Sequence, residues 1–277
     1  MDLSTTRGAA HRNIIIISFQ QFNFTTSISL IQIKLILLNQ FKLILSNVPI
    51  QNEIITELKR KGADFVHFAN ISQLSKKQNK GLPNAILFGI ILSRKYIEKV
   101  SSTPDYVEKM VRSKDMDNDE FHVTEQKTDK LADFIADYIS QKGYKAYSQS
   151  EDNIYTTGYY DEGNKCTPLP HKTIALLAGL GWIGKHNLLV TPAYGSAVSM
   201  CTVLTDAPLQ TILHETQTSR CGECIICKNV CPVKAIKGTQ WKMGILRNEI
   251  VDVGICTTCL LCLALCPWTQ KYMKKNN

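Results

Sequence analysis

Two cysteine motifs constrain this chain more than anything else in it. Cys221, Cys224, Cys227 and Cys231 are spaced C-x2-C-x2-C-x3-C and followed by Pro232, and Cys256, Cys259, Cys262 and Cys266 repeat that spacing before Pro267. This run is the two-cluster bacterial ferredoxin signature, in which the fourth cysteine of each motif ligates the other [4Fe–4S] cluster. Three thiolates two residues apart can wrap three corners of a cubane from one tight loop. The fourth, on the helix that follows, points away toward the second cluster, and the proline ends the ligating loop and fixes the chain's exit. The spacing therefore assigns Cys221, Cys224, Cys227 and Cys266 to cluster one. It assigns Cys256, Cys259, Cys262 and Cys231 to cluster two, with the two clusters close enough for an electron to hop between them. The competing reading is structural zinc, which usually pairs two C-x2-C hooks without a third cysteine in each.

Only two of the ten cysteines, Cys166 and Cys201, lie outside these motifs. A secreted disulfide scaffold would be short and would spread its cysteines through the chain, so the clustering points to a reducing cytoplasm. Cys201, in an apolar strand, reads as a small core residue, and Cys166 is given no role. The 277 residues, 44% hydrophobic and 20% charged, suit a globular core with a small appendage. The net charge of +8 admits a polyanion such as RNA. Aromatic residues are not interleaved with Lys and Arg in any run that would make a nucleic-acid platform, however, and a solvated lysine face is the plainer reading. Residues 28–45 are apolar but interrupted by Lys34 and Lys42. A membrane span needs about 20 predominantly apolar residues with few or no charges, so a span is rejected. No small-residue cleavage site follows a short apolar core, so a signal peptide is rejected too. Residues 1–48 are an N-terminal extension, either an added strand or helix pair or an unstructured segment.

The organised chain is expected to begin at Pro49. Ile50, Ile54, Ile55 and Leu58 recur at helical spacing up to Gly62, and residues 63–68 then read as a strand. Leu82, Pro83 and Asn84 make a turn into the apolar strand 85–92. Residues 113–125 read as a polar loop. Leu131, Phe134, Ile135, Tyr138 and Ile139 form one stripe of a helix closed by Gly143, with a strand at 144–147. Residues 148–167 read as a long loop, of a length that is often functional. A helix from Pro170 to Leu180 precedes strands at 187–191 and 197–205. Helices and strands thus alternate over residues 49–210, which argues for layered helices and sheet. Residues 211–277, short helices punctuated by cysteines, read as a second unit, standing apart from the glycine-rich segment before it.

That segment, AGLGWIGKH, places Gly179, Gly181 and Gly184 at G-x-G-x-x-G spacing. A dinucleotide loop follows a strand and opens a helix. Here a helix precedes and a strand follows, so nicotinamide binding is discounted. The glycines either let backbone pass close to a large planar ligand or make a helix-to-strand turn.

Residues 178–206 (AGLGWIGKHNLLVTPAYGSAVSMCTVLTD), followed by Pro208 and the first cysteine quartet, resemble epoxyqueuosine reductase. They are also similar to the cobalamin-dependent reductive dehalogenases, and the resemblance reaches back to about residue 50. It implies an α+β fold: a nitroreductase-like α/β core that binds cobalamin, with a C-terminal ferredoxin-type double-cluster subdomain. By that resemblance Gly179, Gly181, Trp182, Gly184, Lys185, Asn187, Thr191, Tyr194, Gly195 and Ser196 bind the cofactor. The cobalamin motif D-x-H-x-x-G is absent, so His171 and His186 need not be metal ligands. The family's proton-donating Asp would fall on Lys165, Cys166 or Thr167. Tyr159, Tyr160, Asp161 and Lys165 in the long loop are the candidates left for that role. The family's C-terminal helical-repeat extension, which helps grip tRNA, has no counterpart here, and the second cysteine quartet is more compact than the reductase's. These departures weaken tRNA as a partner.

Two functions follow. The first is an iron–sulfur oxidoreductase that passes electrons through two [4Fe–4S] clusters to cobalamin to reduce an unknown substrate. Its electrons would come from a ferredoxin or flavodoxin. The second is a ferredoxin-like electron carrier without substrate chemistry of its own.

Overall fold

Residues 50–212, 214 and 216–274 are described by the computed structural model. The N-terminal extension, and with it the apolar stretch 28–45, lies outside them. A first helix, α1, covers residues 50–60 and buries Ile50, Ile54 and Leu58, one residue per turn. It stops where Gly62 takes φ +101° and Ala63 N–H bonds back to the Leu58 carbonyl. Strand β1 (Phe65–Asn70) follows, starting two residues later than the apolar pattern suggests. After α2 (Lys76–Asn79) comes β2 (Asn84–Ile91), then α3 (Arg94–Ser102), α4 (Tyr106–Arg112) and the long α5 (Glu120–Gln141). Strand β3 (Ala146–Ser148), α6 (Glu151–Thr156), α7 (His171–Leu177) and the two-residue strands β4 (Trp182–Ile183) and β5 (Leu189–Val190) lead to β6 (Val198–Thr205). Short helices α8 (Ile226–Asn229), α9 (Leu261–Ala264) and α10 (Pro267–Met273) carry the cysteine segment.

The sheet runs β1-β2-β6-β3 and every pairing in it is antiparallel. Strand β2 buries consecutive residues, Ala85 to Phe88, because both faces of the sheet are covered. Ile86 and Phe88 pack with Leu131, Ile135 and Ile139 of α5 and with α1. Ala85 and Leu87 pack on the opposite side with Ile174 and Ala175 of α7. The result is a mixed helix-and-sheet fold, helices on either side of one antiparallel sheet. Among the described residues no helix is long and apolar enough to cross a membrane.

Three expectations need correction. Residues 113–125 are not all loop, because α5 begins at Glu120, where the Asp119 carboxylate accepts from His122 N–H at 2.9 Å. Residues 148–167 contain α6, and the Asp133 carboxylate anchors the turn into it by accepting from the hydroxyls of Ser148 and Ser150. The cysteine segment does not stand apart from the glycine-rich one. Leu260, Leu263 and Ala264 share a core with Leu92, Tyr96, Ile97 and Ala197, and Tyr272 Oη donates to the Leu92 carbonyl at 3.1 Å. Thr269 Oγ1 accepts from Ser196 N–H at 3.0 Å.

Candidate functional site

The eight motif cysteines ring two cavities. One, of about 70 Å³, is lined by Cys221, Cys224, Cys227 and Cys266 with Lys185, His186, Arg220, Pro267 and Trp268. The other, of about 160 Å³, is lined by Cys231, Cys256, Cys259 and Cys262 with His186, Leu188, Val251 and apolar neighbours. Each cavity thus takes three cysteines from one motif and the fourth from the other. The thiols feel one another. Burial first, then the thiols of Cys221, Cys266 and Cys224, hold Cys227 up at about 11. Burial first, then Cys259, Cys227, Cys256 and Cys231, raises Cys262. Cys227 and Cys262 therefore lie within electrostatic reach of each other across the two sets. All ten cysteines are free, and among the described residues no three His, Cys, Asp or Glu side chains are grouped to hold a single metal ion. Each set of thiols lines a void.

His186 faces both cavities. Its Nδ1 accepts from Leu188 N–H at 3.1 Å, which places the ring proton on Nε2, 3.3 Å from the Ser196 hydroxyl. Lys185 Nζ donates to the Gly222 carbonyl at 2.7 Å, tying the glycine-rich segment to the first cysteine loop. The glycines themselves are spent on chain packing. A Cβ on Gly181 would lie 2.0 Å from the Val190 carbonyl oxygen, and one on Gly184 would press on the His186 ring. Thr191 Oγ1 accepts from Tyr194 N–H at 2.9 Å and holds the turn closed. Trp182 is fully buried, edge-on to Trp268.

A larger cavity, about 700 Å³, opens between α7 and residues 241–253, the stretch joining the two cysteine motifs. That is within the range of ligand pockets, about 300–1,000 Å³. Trp241, Ile245, Leu246 and Ile250 give it an apolar wall, and Val251 lines both this cavity and the one ringed by Cys231, Cys256, Cys259 and Cys262. Of the ten residues that the resemblance assigns to the cofactor, Asn187 lines this cavity.

The four loop candidates divide. Tyr160 and Lys165 line the cavity, whereas Tyr159 and Asp161 are not among its lining residues. Tyr159 is buried in the core against Tyr147, its hydroxyl bound to the Gln78 carbonyl, and burial raises its pKa. The Asp161 carboxylate accepts from the side chain of Asn164, which lowers its pKa. His171 is half-buried and lines the large cavity, its Nδ1 2.8 Å from Thr202 Oγ1 and its pKa lowered to about 4 by burial.

The sequence reading missed Lys172. Its ammonium turns inward to donate to the Asn187 carbonyl at 2.9 Å, and burial, then the charge of Arg247, lowers its pKa to about 7. Both residues line the cavity. Nothing in the local sequence marks them, because they are 75 positions apart and only the fold brings them together.

No family model matches the chain. Epoxyqueuosine reductase of Atelocyanobacterium thalassa (isolate ALOHA) is 31% identical over 140 residues, covering 45% of this chain and 44% of that protein. Epoxyqueuosine reductase of Cellulophaga algicola is 29% identical over 168 residues, covering 55% and 49%. The chain resembles the epoxyqueuosine reductases. It spans about half the length of these epoxyqueuosine reductases. In fold it is similar to a variant of the catabolic reductive dehalogenase NpRdhA, with a TM-score of 0.53 and 19% identity over 75% of this chain and 30% of that one. A second reductive dehalogenase structure, described as bearing on B12-dependent dehalogenation, gives a TM-score of 0.52 at 20% identity with the same coverage.

Proposed function

We propose that the chain is an iron–sulfur oxidoreductase of epoxyqueuosine reductase type. In this reading its eight motif cysteines hold two [4Fe–4S] clusters, and the large cavity is where its substrate is reduced. One observation carries the reading: two cavities, each ringed by three cysteines of one motif and one of the other, with Val251 shared between the second and the large cavity. The residues fit the clusters, since four thiols surround each void. A corrinoid would meet this cavity at Asn187, the one residue of the resemblance's cofactor set that lines it. The Cβ sides of Gly181 and Gly195 are filled by Val190 and Thr269, so a side chain at either position would collide with the chain itself. When bound, clusters and corrinoid supply one-electron transfer and a strongly reducing cobalt.

This chain's own residues have definable tasks. The fold buries Cys227 and Cys266 of the first set, while Cys256 of the second is exposed. His186 and Val251 separate one cavity from the next at side-chain thickness. Lys172 holds a proton on Nζ inside the cavity, beside Tyr160 and Lys165, where a reduced product needs one. A ferredoxin or flavodoxin would supply the electrons. The relatives' reduction of an epoxide on tRNA is a narrower proposal, weakened by the absence of a carboxylate at residues 165–167. The electron-carrier reading would leave the large cavity without a task.

Anaerobic isolation and metal analysis test the proposal. About eight iron atoms and eight sulfides per chain are expected, from two cubanes, together with corrinoid that co-elutes after titration. Zinc with little sulfide defeats the cluster assignment. Full iron without any corrinoid binding leaves the carrier.

A further inference from the structure

The large cavity carries more positive charge than its neighbours balance. Lys172 sits within it, and Lys165 and Arg247 stand exposed at its rim. The charge of Arg247 lies close enough to Lys172 to disfavour the ammonium. Neither is in an ion pair among the described residues: Lys172 Nζ donates to the Asn187 carbonyl, and Arg247 donates to the Lys165 carbonyl. Asp252 is the one carboxylate among the lining residues, and its oxygen accepts from Gly254 N–H at 2.9 Å. His171 adds no charge at neutral pH, and Cys166 completes the groups that act on Lys172. Two uncompensated cations facing one partly enclosed space repel each other, which raises the free energy of the empty site. An anion placed between them relieves that repulsion and gains charge-assisted hydrogen bonds from both.

We infer that the cavity receives the oxyanion of its ligand, a carboxylate or a phosphate, between Lys172 and Arg247. The inference rests on the reading of this cavity as the site of reduction, and names the chemical class it would accept: a small acid or phosphorylated molecule whose apolar part lies on Trp241 and Ile245. Arg247 offers a planar fork that suits either oxyanion, and Lys172 adds a single half-buried point charge.

Cys166 lines the same cavity and serves as the reporter. Anaerobically isolated protein with its clusters in place would be treated in parallel with iodoacetate, which is anionic, and with iodoacetamide, its neutral counterpart. Peptide mass spectrometry would give the two rates at Cys166. The ratio of iodoacetate to iodoacetamide rates should exceed that of the urea-unfolded chain by about fivefold, ~1 kcal/mol of attraction. High salt should lower it. Lys172→Gln, which keeps a donor for the Asn187 carbonyl, and the exposed-site change Arg247→Gln should each reduce it, and the double variant should return it to the unfolded value. Inorganic phosphate and acetate, added as competitors, distinguish the two oxyanions by which one slows labelling. A wild-type ratio equal to that of the unfolded chain, a Cys166 reached by iodoacetamide but not by iodoacetate, or a ratio unchanged in both single variants overturns the inference. Iron, sulfide and corrinoid content are read separately, so failure of the reductase assignment would be distinguishable from failure of the anion site.

Discussion

A Cβ built on Gly195 would stand 2.2 Å from the backbone nitrogen of Thr269, and Gly195 itself holds φ +59°. Thr269 is three residues past Cys266, on the helix that begins at Pro267. The glycine-rich segment and the first cysteine set are therefore one packed unit, and a side chain at 195 must push α10 away. Gly195→Val should lose stability and the cluster assigned to Cys266 together. Its backbone strain alone costs about 1–3 kcal/mol, and the overlap adds to that. Gly158→Ala is the control, since Gly158 also has positive φ but nothing within 4 Å of its Cβ position. Melting curves and iron content would show the difference. A Gly195→Val protein with wild-type stability and full iron would mean that α10 can move freely.

The crossed lining of the two cavities makes separable predictions for the fourth cysteines. Cys231→Ala should empty the site of Cys256, Cys259 and Cys262, and Cys266→Ala the site of Cys221, Cys224 and Cys227. Each variant should retain about four of the eight iron atoms expected for two cubanes. Low-temperature electron paramagnetic resonance of the reduced proteins would show which signal survives. Loss of the same-motif cluster in both variants would refute the crossing.

Trp182 is buried with its ring centroid 4.8 Å from that of Trp268, and its Nε1 finds no acceptor among the described residues. An unsatisfied buried donor costs about 1–3 kcal/mol, so removing it should offset much of the lost ring area. Trp182→Phe is expected to stay within about 1 kcal/mol of the parent, while Trp182→Ala should lose about 3–5 kcal/mol. Chemical denaturation of protein freed of its cofactors would measure both. A Phe variant as damaged as the Ala variant would show that the indole N–H is satisfied after all.

How much of this was legible beforehand depended on how local the signal was. The two cysteine motifs stand out in the sequence because ligand spacing is set within a dozen residues. The first helix and β2 were readable because Ile50, Ile54 and Leu58, and the run from Ala85 to Phe88, follow the periods of the structures they form. The start of α5 was misread because its first turns are polar, and the mark of its beginning is one capping carboxylate, Asp119. The glycine-rich segment left two readings open, a helix-to-strand turn or close approach to a planar ligand. What its glycines face was not readable, because Thr269 is 74 residues from Gly195. Lys172 and Arg247 were invisible for the same reason: each is an ordinary surface residue until the linker between the cysteine motifs folds back over α7.

Lys172 should also write itself into the pH dependence of stability. Burial, and then the Arg247 charge, lower its pKa from 10.5 to about 7. Between those values the unfolded chain holds a proton that the folded chain has released, so stability rises with pH across the window. Below about pH 7 both forms are protonated, and the folded protein carries the whole penalty. Lys172→Gln removes the group, so it should be more stable than the parent at pH 7. The advantage should shrink steadily as pH approaches 10.5. Urea midpoints for the two proteins across this range would test it, with the difference between the curves, not either curve alone, as the readout. Parallel curves would mean that the ammonium is solvated in the cavity and carries no burial penalty.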